Sequence, residues 1–223
     1  RKEIKLHEDF LRDNIIDTVF IGGGTPSSVD SRFIKEIMND LSAYNFSDNR
    51  EISIESNPNS LTREKAEAYF SYGINRISLG AQSFNDEILK RIGRIHKKDD
   101  IYRAIENARS AGFENINLDL MLALPGQKFS DIEESIKEVR ELKLPHISYY
   151  SLILEEGTKL FRDHEKSPLS FPTEDEDRKM YHYVVDELEK IGLKQYEISN
   201  FAKEGHELSL IHISEPTRLQ LIS

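Results

Sequence analysis

Three successive strand-forming runs in this chain carry one apolar face and one polar face. Ile52 and Ile54, Ile77 and Leu79, and Ile116, Leu118 and Leu120 alternate with Glu51, Ser53 and Glu55, with Arg76, Ser78 and Gly80, and with Asn117 and Asp119. Period-two alternation puts each set on its own face of a strand. Single helix-length segments separate the runs, which implies right-handed crossovers and a parallel sheet. The choice is then between an open doubly wound sheet and a closed or partial (β/α) barrel. Parallel strands covered by helices on both faces read as continuous hydrophobic runs, so a polar second face needs another environment. A barrel lumen that holds a polar ligand supplies it, whereas parallel sheets rarely leave one face in water. The expectation is an α/β fold with a ligand-lined barrel.

The elements follow in order. An amphipathic helical stretch (Ile4, Leu6, Phe10, Leu11) precedes a strand over Asp17–Ile21, and the spacing of Phe33, Ile34, Ile37, Met38 and Leu41 predicts a helix over Ser31–Tyr44. Strands are expected over Glu51–Glu55, Arg76–Gly80, Asn115–Leu122 and His146–Leu154, with a short one over Tyr196–Ile198. Helices are expected from Thr62 as N-cap to Gly73, over Asn85–Arg91, Asp99–Ala111, Ser130–Leu142 and Glu174–Ile191. The 223 residues suffice for one core, and no apolar run has the length of a membrane span. Forty acidic against 30 basic residues give a net charge of −10, which disfavours a polyanion such as nucleic acid as partner. The absence of cysteine removes disulfides, thiolate catalysis and thiolate metal sites from these residues.

After the first strand comes Gly22-Gly23-Gly24-Thr25-Pro26-Ser27. Three glycines leave the backbone N–H groups bare, open to a small polar ligand. A dinucleotide fingerprint would need glycine at Ser27, and a P-loop would need a Gly-Lys-Ser/Thr ending. The plainer reading is a tight βα turn closed by Thr25-Pro26. In (β/α) barrels the chemistry sits at the C-terminal strand ends, where this loop, Glu55, Gln82 and Asp119 all fall. Glu55 could instead cap a turn, Gln82 could be a surface residue, and Asp119 could pair with Arg76 or Arg94. A carboxylate inside an apolar strand is costly unless paired, so Asp119 is the most informative of them. Together these groups suit hydroxyls and an ammonium.

Ile21–Ser27, Glu55-Ser56-Asn57-Pro58, Leu79–Asn85 through Gly93-Arg94-Ile95-His96, Asn117–Met121 with Leu124-Pro125-Gly126-Gln127, and Gln195–Ala202 stand in this order along Arg1 to about Glu207. This arrangement resembles the oxygen-independent coproporphyrinogen-III-oxidase-like radical S-adenosylmethionine proteins, and within them the heme-chaperone branch. The resemblance implies a partial (β/α)6 barrel in which Gly22, Gly23, Gly24 and Thr25 hold the methionine part of S-adenosylmethionine. Glu55, Gln82, Arg94 and Asp119 would line the S-adenosylmethionine sites, with Ile153 near the adenine-side wall. It further implies a [4Fe-4S] cluster, heme or porphyrin as ligand, a heme-acceptor protein as partner and a cytoplasmic location. A coproporphyrinogen oxidase is the alternative within the family. A cluster-free (β/α)-barrel enzyme for a sugar or phosphate is the alternative outside it; phosphate-binding glycines would then be expected after the last strands, where only Gly157 stands.

The family's cluster is held by three cysteines in a C-x-x-x-C-x-x-C loop after the first barrel strand. This chain has no cysteine, so the expectation is a piece lacking the first strand and the cluster loop, with an exposed sheet edge and without radical chemistry of its own. From Leu208 the sequence resembles a translated sequencing-library adapter, so residues 1–207 are read as the core and 208–223 as a non-native tail, His212 included. No spacing singles out His96, His146, His164, His182 or His206 as a heme ligand.

Overall fold

A computed structural model describes residues 1–208 of the chain. Seven strands form one curled, half-barrel sheet: β1 (Ile16–Ile21), β2 (Phe46–Ser56), β3 (Arg76–Gln82), β4 (Asn115–Leu122), β5 (His146–Ser151), β6 (Lys194–Glu197) and β7 (Asn200–Ala202), in the spatial order β1-β2-β3-β4-β5-β7-β6. β1 to β5 are parallel, and the β6–β7 hairpin joins antiparallel through β7 to β5. The helices are α1 (Lys2–Leu6), α2 (Glu8–Asp13), α3 (Ser31–Leu41), α4 (Arg63–Ser71), α5 (Asp86–Arg91), α6 (Lys98–Ala111), α7 (Phe129–Leu142), α8 (Lys159–Lys166) and α9 (Glu174–Glu189). Side chains set their starts: Asp30 accepts from the Arg32 N–H, Thr62 from Lys65, and Thr173 forms a reciprocal box with Glu176.

The apolar strand faces form the core. Ile52, Ile54, Ile77, Leu79, Ile116, Leu118, Leu120 and Ile147 pack with Ile34, Met38, Tyr69, Ile101, Ile105, Ile136 and Val139 from the helices. Each buried aliphatic side chain contributes about 1.5–3 kcal/mol of transfer free energy. That layer fixes the register, which in turn turns every polar partner residue inward.

Several boundaries differ from expectation. The first helix breaks at His7 into α1 and α2, neither of which buries a residue, since Leu6 and Phe10 remain exposed. β2 begins at Phe46, because Ile16 pairs with Phe46 ahead of a register shift in β1. β5 ends at Ser151 rather than Leu154. The strand expected over Tyr196–Ile198 is the end of a hairpin arm: Ile198 lies in its turn, where its carbonyl accepts from Tyr181 Oη at 3.0 Å and Gln195 Nε2 at 3.0 Å. Helix α8 was not among the expected elements; its eight residues offer only Leu160 and Phe161 as an apolar side, and none of them is fully buried. β1 and β6 are the two sheet edges, in keeping with the exposed edge expected at β1. Past Leu208, the adapter-like tail with His212 lies outside the described residues.

Candidate functional site

Register assembles the site in rows across the lumen. Glu55 pairs with Ser78, Ser78 with Asn117, and Asn117 with His146; one step toward the C-terminal ends, Gly80 pairs with Asp119, Asp119 with Ser148, and Ser148 with Asn200. These side chains line two adjoining lobes of about 330 and 190 Å³ that share Glu55, Ser78, Asp119 and Tyr150. Cavities of this size are typical of small-molecule sites.

The smaller lobe lies against the glycine loop and is lined by Gly24, Thr25, Gln82 and Arg94 as well. Gly22 is required by proximity: a Cβ there would stand 2.5 Å from the Phe20 ring and 3.0 Å from the Glu55 carboxyl carbon. Gly23 and Gly24 have φ of +84° and +61°, which L side chains adopt only under strain. The Gly23 N–H donates to Glu55 Oε2 at 3.0 Å, so the carboxylate that faces the cavity also fixes the loop. Behind the loop, Ser27 Oγ accepts from the Asn57 N–H at 3.0 Å and meets Ser60 Oγ at 2.5 Å, tying the ends of β1 and β2 together.

At the end of β3 the pairing with β4 shifts between Gly80 and Gln82, and Gln82 takes φ of +66°. A non-glycine residue in that region is held there by its surroundings. Here Tyr150 Oη donates to Gln82 Oε1 at 3.3 Å, and the bare Cα of Gly80 leaves room for Gln82 Nε2, which a Cβ would approach to 2.9 Å. Burial pushes the Tyr150 hydroxyl up to about 12, so it stays a donor.

Asp119 pairs with neither Arg76 nor Arg94, the partners suggested by sequence. Its Oδ2 accepts from Ser78 Oγ at 3.0 Å and its Oδ1 from Asn117 Nδ2 at 2.7 Å. Burial raises its pKa above the ordinary carboxylate value, and the donors from Ser78 and Asn117 oppose that rise. Arg76, 1% exposed, lies at the deep end of the larger lobe, 3.6 Å from Glu51 and donating to the His206 carbonyl at 3.2 Å.

Gly24, Thr25, Glu55, Gln82, Arg94 and Asp119 therefore surround one cavity, while Gly22 and Gly23 shape its loop. Ile153 is 79% exposed just beyond β5 and does not line either lobe. Sequence reasoning missed His146, Ser148 and Tyr150, although they alternate along β5 as the other polar faces do, and missed Tyr196, which no periodicity marks. Among the histidines, His96 is buried with Nε2 on the Ala81 carbonyl at 3.0 Å, and His164 Nδ1 accepts from the Leu169 N–H at 2.9 Å.

The sequence pattern of the Radical SAM superfamily matches residues 2–139. The chain is 42% identical over 194 residues to a Bacillus subtilis protein named heme chaperone HemW, covering 86% of this chain and 51% of that protein. It is 35% identical over 193 residues to the Escherichia coli protein of the same name, covering 86% and 50%. The chain thus spans about half the length of the curated relatives it matches. Among solved structures, Escherichia coli coproporphyrinogen III oxidase HemN superposes with a TM-score of 0.83 at 24% identity, over 95% of this chain and 49% of that one. At that identity the likeness bears on the fold.

Proposed function

The chain belongs to the radical SAM superfamily, and from that premise we propose that its strand-end cavity binds S-adenosylmethionine. The observation that carries this is the Glu55 carboxylate, bonded to the Gly23 N–H at 3.0 Å while lining the cavity beside Asp119 and Arg94. S-adenosylmethionine offers an ammonium, a carboxylate and two ribose hydroxyls. In this reading Gly22, Gly23, Gly24 and Thr25 cradle the methionine part, Glu55 and Asp119 accept from ammonium and hydroxyls, and Gln82 and Arg94 complete the polar wall. Ile153, exposed beyond β5 and outside both lobes, falls out of this assignment. The space where side chains would stand on Gly23 and Gly24 is clear within 4 Å, which fits a ligand lying on that backbone.

The superfamily also implies a [4Fe-4S] cluster. The residues present do not fit it: the 223 residues include no cysteine, and no group of three or more metal-ligating side chains is assembled among the described residues. For the whole protein we infer a heme chaperone, cytoplasmic, that binds heme and passes it to an acceptor protein. The curated relatives at 34–42% identity that bear that name support this. A coproporphyrinogen oxidase has the fold likeness at 24% identity in its favour and less sequence support. No helix among the described residues is long and apolar enough to cross a membrane.

Calorimetric titration of the chain with S-adenosylmethionine tests the site. Saturable binding that competes with S-adenosylhomocysteine and weakens ~tenfold or more, about 1.4 kcal/mol, in Glu55→Gln and Asp119→Asn is expected. No saturable binding, or binding indifferent to both substitutions, overturns the reading. Hemin titration of the whole protein, read by its Soret band alongside coproporphyrinogen turnover, separates chaperone from oxidase.

A further inference from the structure

Beneath Asp119 runs a line of hydrogen bonds with one polarity. Asn117 Nδ2 donates to Asp119 Oδ1 at 2.7 Å and to Ser78 Oγ at 2.8 Å, and Ser78 Oγ donates to Asp119 Oδ2 at 3.0 Å. These donations fix which end of the Asn117 amide is which, so Oδ1 is an acceptor. His146 Nδ1 lies 2.6 Å from that oxygen and must carry the proton there. In the neutral ring Nε2 is then the acceptor, and Tyr196 Oη, 2.7 Å away, donates to it while accepting from the Leu208 N–H at 3.1 Å. Every donor along Tyr196–His146–Asn117 points toward Asp119.

We propose that His146, in its Nδ1–H form with Tyr196 on Nε2, is a positioning residue that orients Asn117 and through it the Asp119 carboxylate toward the ligand. This rests on the reading of the cavity as an S-adenosylmethionine site. A side-chain amide alone is free to rotate by 180°, which would turn its oxygen onto Asp119 and set two acceptors against each other. The imidazole N–H at 2.6 Å, with Ser148 Oγ donating to the same oxygen from the longer distance of 3.3 Å, removes that alternative, because only the observed orientation satisfies both the ring and the carboxylate. His146 is 1% exposed and lines the larger lobe of the cavity beside Asn117, so packing, or direct contact with a ligand in that lobe, is the rival explanation.

The experiment combines ring spectroscopy with ligand titration on the chain. Long-range ¹⁵N–¹H spectra should show His146 as the Nδ1–H tautomer, retained in Tyr196→Phe because the Asn117 oxygen still takes that proton. His146→Leu should weaken S-adenosylmethionine binding ~tenfold and move the Asp119 carboxyl ¹³C resonance, whereas His146→Asn, whose amide can donate from the Nδ1 position, should restore both to within ~threefold of the unmodified chain. An Nε2–H ring in the unmodified chain overturns the proposal, as does His146→Leu that binds like the parent or His146→Asn that binds no better than His146→Leu. If His146→Leu does not fold, the ring and His146→Asn decide: an Nε2–H tautomer in the unmodified chain, or an unmoved Asp119 resonance with weakened binding in His146→Asn, overturns the proposal. Failure of the unmodified chain to bind S-adenosylmethionine overturns the ligand assignment; the tautomer and the Asp119 resonance then still decide whether His146 sets the carboxylate.

Discussion

Gly22 and His146 show how single atoms set this site. With 2.5 Å between a notional Gly22 Cβ and the Phe20 ring, and 3.0 Å to the Glu55 carboxyl, Gly22→Ala must displace one of them. We expect a loss of ~1–3 kcal/mol in urea denaturation together with weakened S-adenosylmethionine binding, because the Gly23–Glu55 bond moves with the loop. His146 makes a prediction in pH. Burial first, then the Arg76 charge and His206, lower its pKa from 6.5 to about 3. The unfolded chain therefore takes up the proton first, so the stabilisation is complete above about pH 6.5 and declines as pH falls toward 3, by ~1.4 kcal/mol per unit. Asp119 works in the opposite sense, since its raised native pKa makes the folded chain the better proton binder just above the ordinary carboxylate range. The difference between the unmodified chain and His146→Asn in denaturation at successive pH values isolates the histidine slope; parallel curves would refute it.

Among elements, α6 and α7 are joined by a buried polar clamp. Glu138, 8% exposed, accepts from Lys98 Nζ at 2.5 Å and from Tyr102 Oη. Glu138→Ala leaves both donors without that acceptor and should cost ~1–3 kcal/mol, measured by thermal or urea unfolding. Hydrogen exchange should grade the elements: β3 and β4, paired on both sides, slowest, and α1 and α2, which bury nothing, fastest. The same contrast explains what could be read from sequence. Strands with a core face betrayed themselves by alternation, and alternation also exposed Glu55, Ser78, Asn117 and Asp119 as lumen residues before any coordinates. Helix α8 and the β6–β7 turn escaped because their placement rests on caps and single hydrogen bonds, such as Tyr181 Oη to the Ile198 carbonyl, rather than on periodic burial. Asp119 was legible as a residue needing a partner, but its partners were not, since Ser78 is brought to it by register between β3 and β4 and Asn117 by sharing its face of β4.

At the scale of the molecule, a chain without cysteine separates ligand binding from cluster chemistry. Anaerobic reconstitution with iron and sulfide should leave these 223 residues without the absorption of a thiolate-bound [4Fe-4S] cluster, while S-adenosylmethionine titration still saturates. A bound cluster would contradict the chemistry of the donor set. The sheet itself ends in two edges, β1 and β6, that do not meet. A closed barrel has its girth dictated by strand number and stagger. An open one is a clasp: its jaws can part or close by small changes in curvature without breaking a single ladder bond. The line from Tyr196 through His146 and Asn117 to Ser78 crosses β6, β5, β4 and β3 on the lumen side, so one half of the clasp is bound by side-chain bonds besides its ladder, and the line stops short of β1.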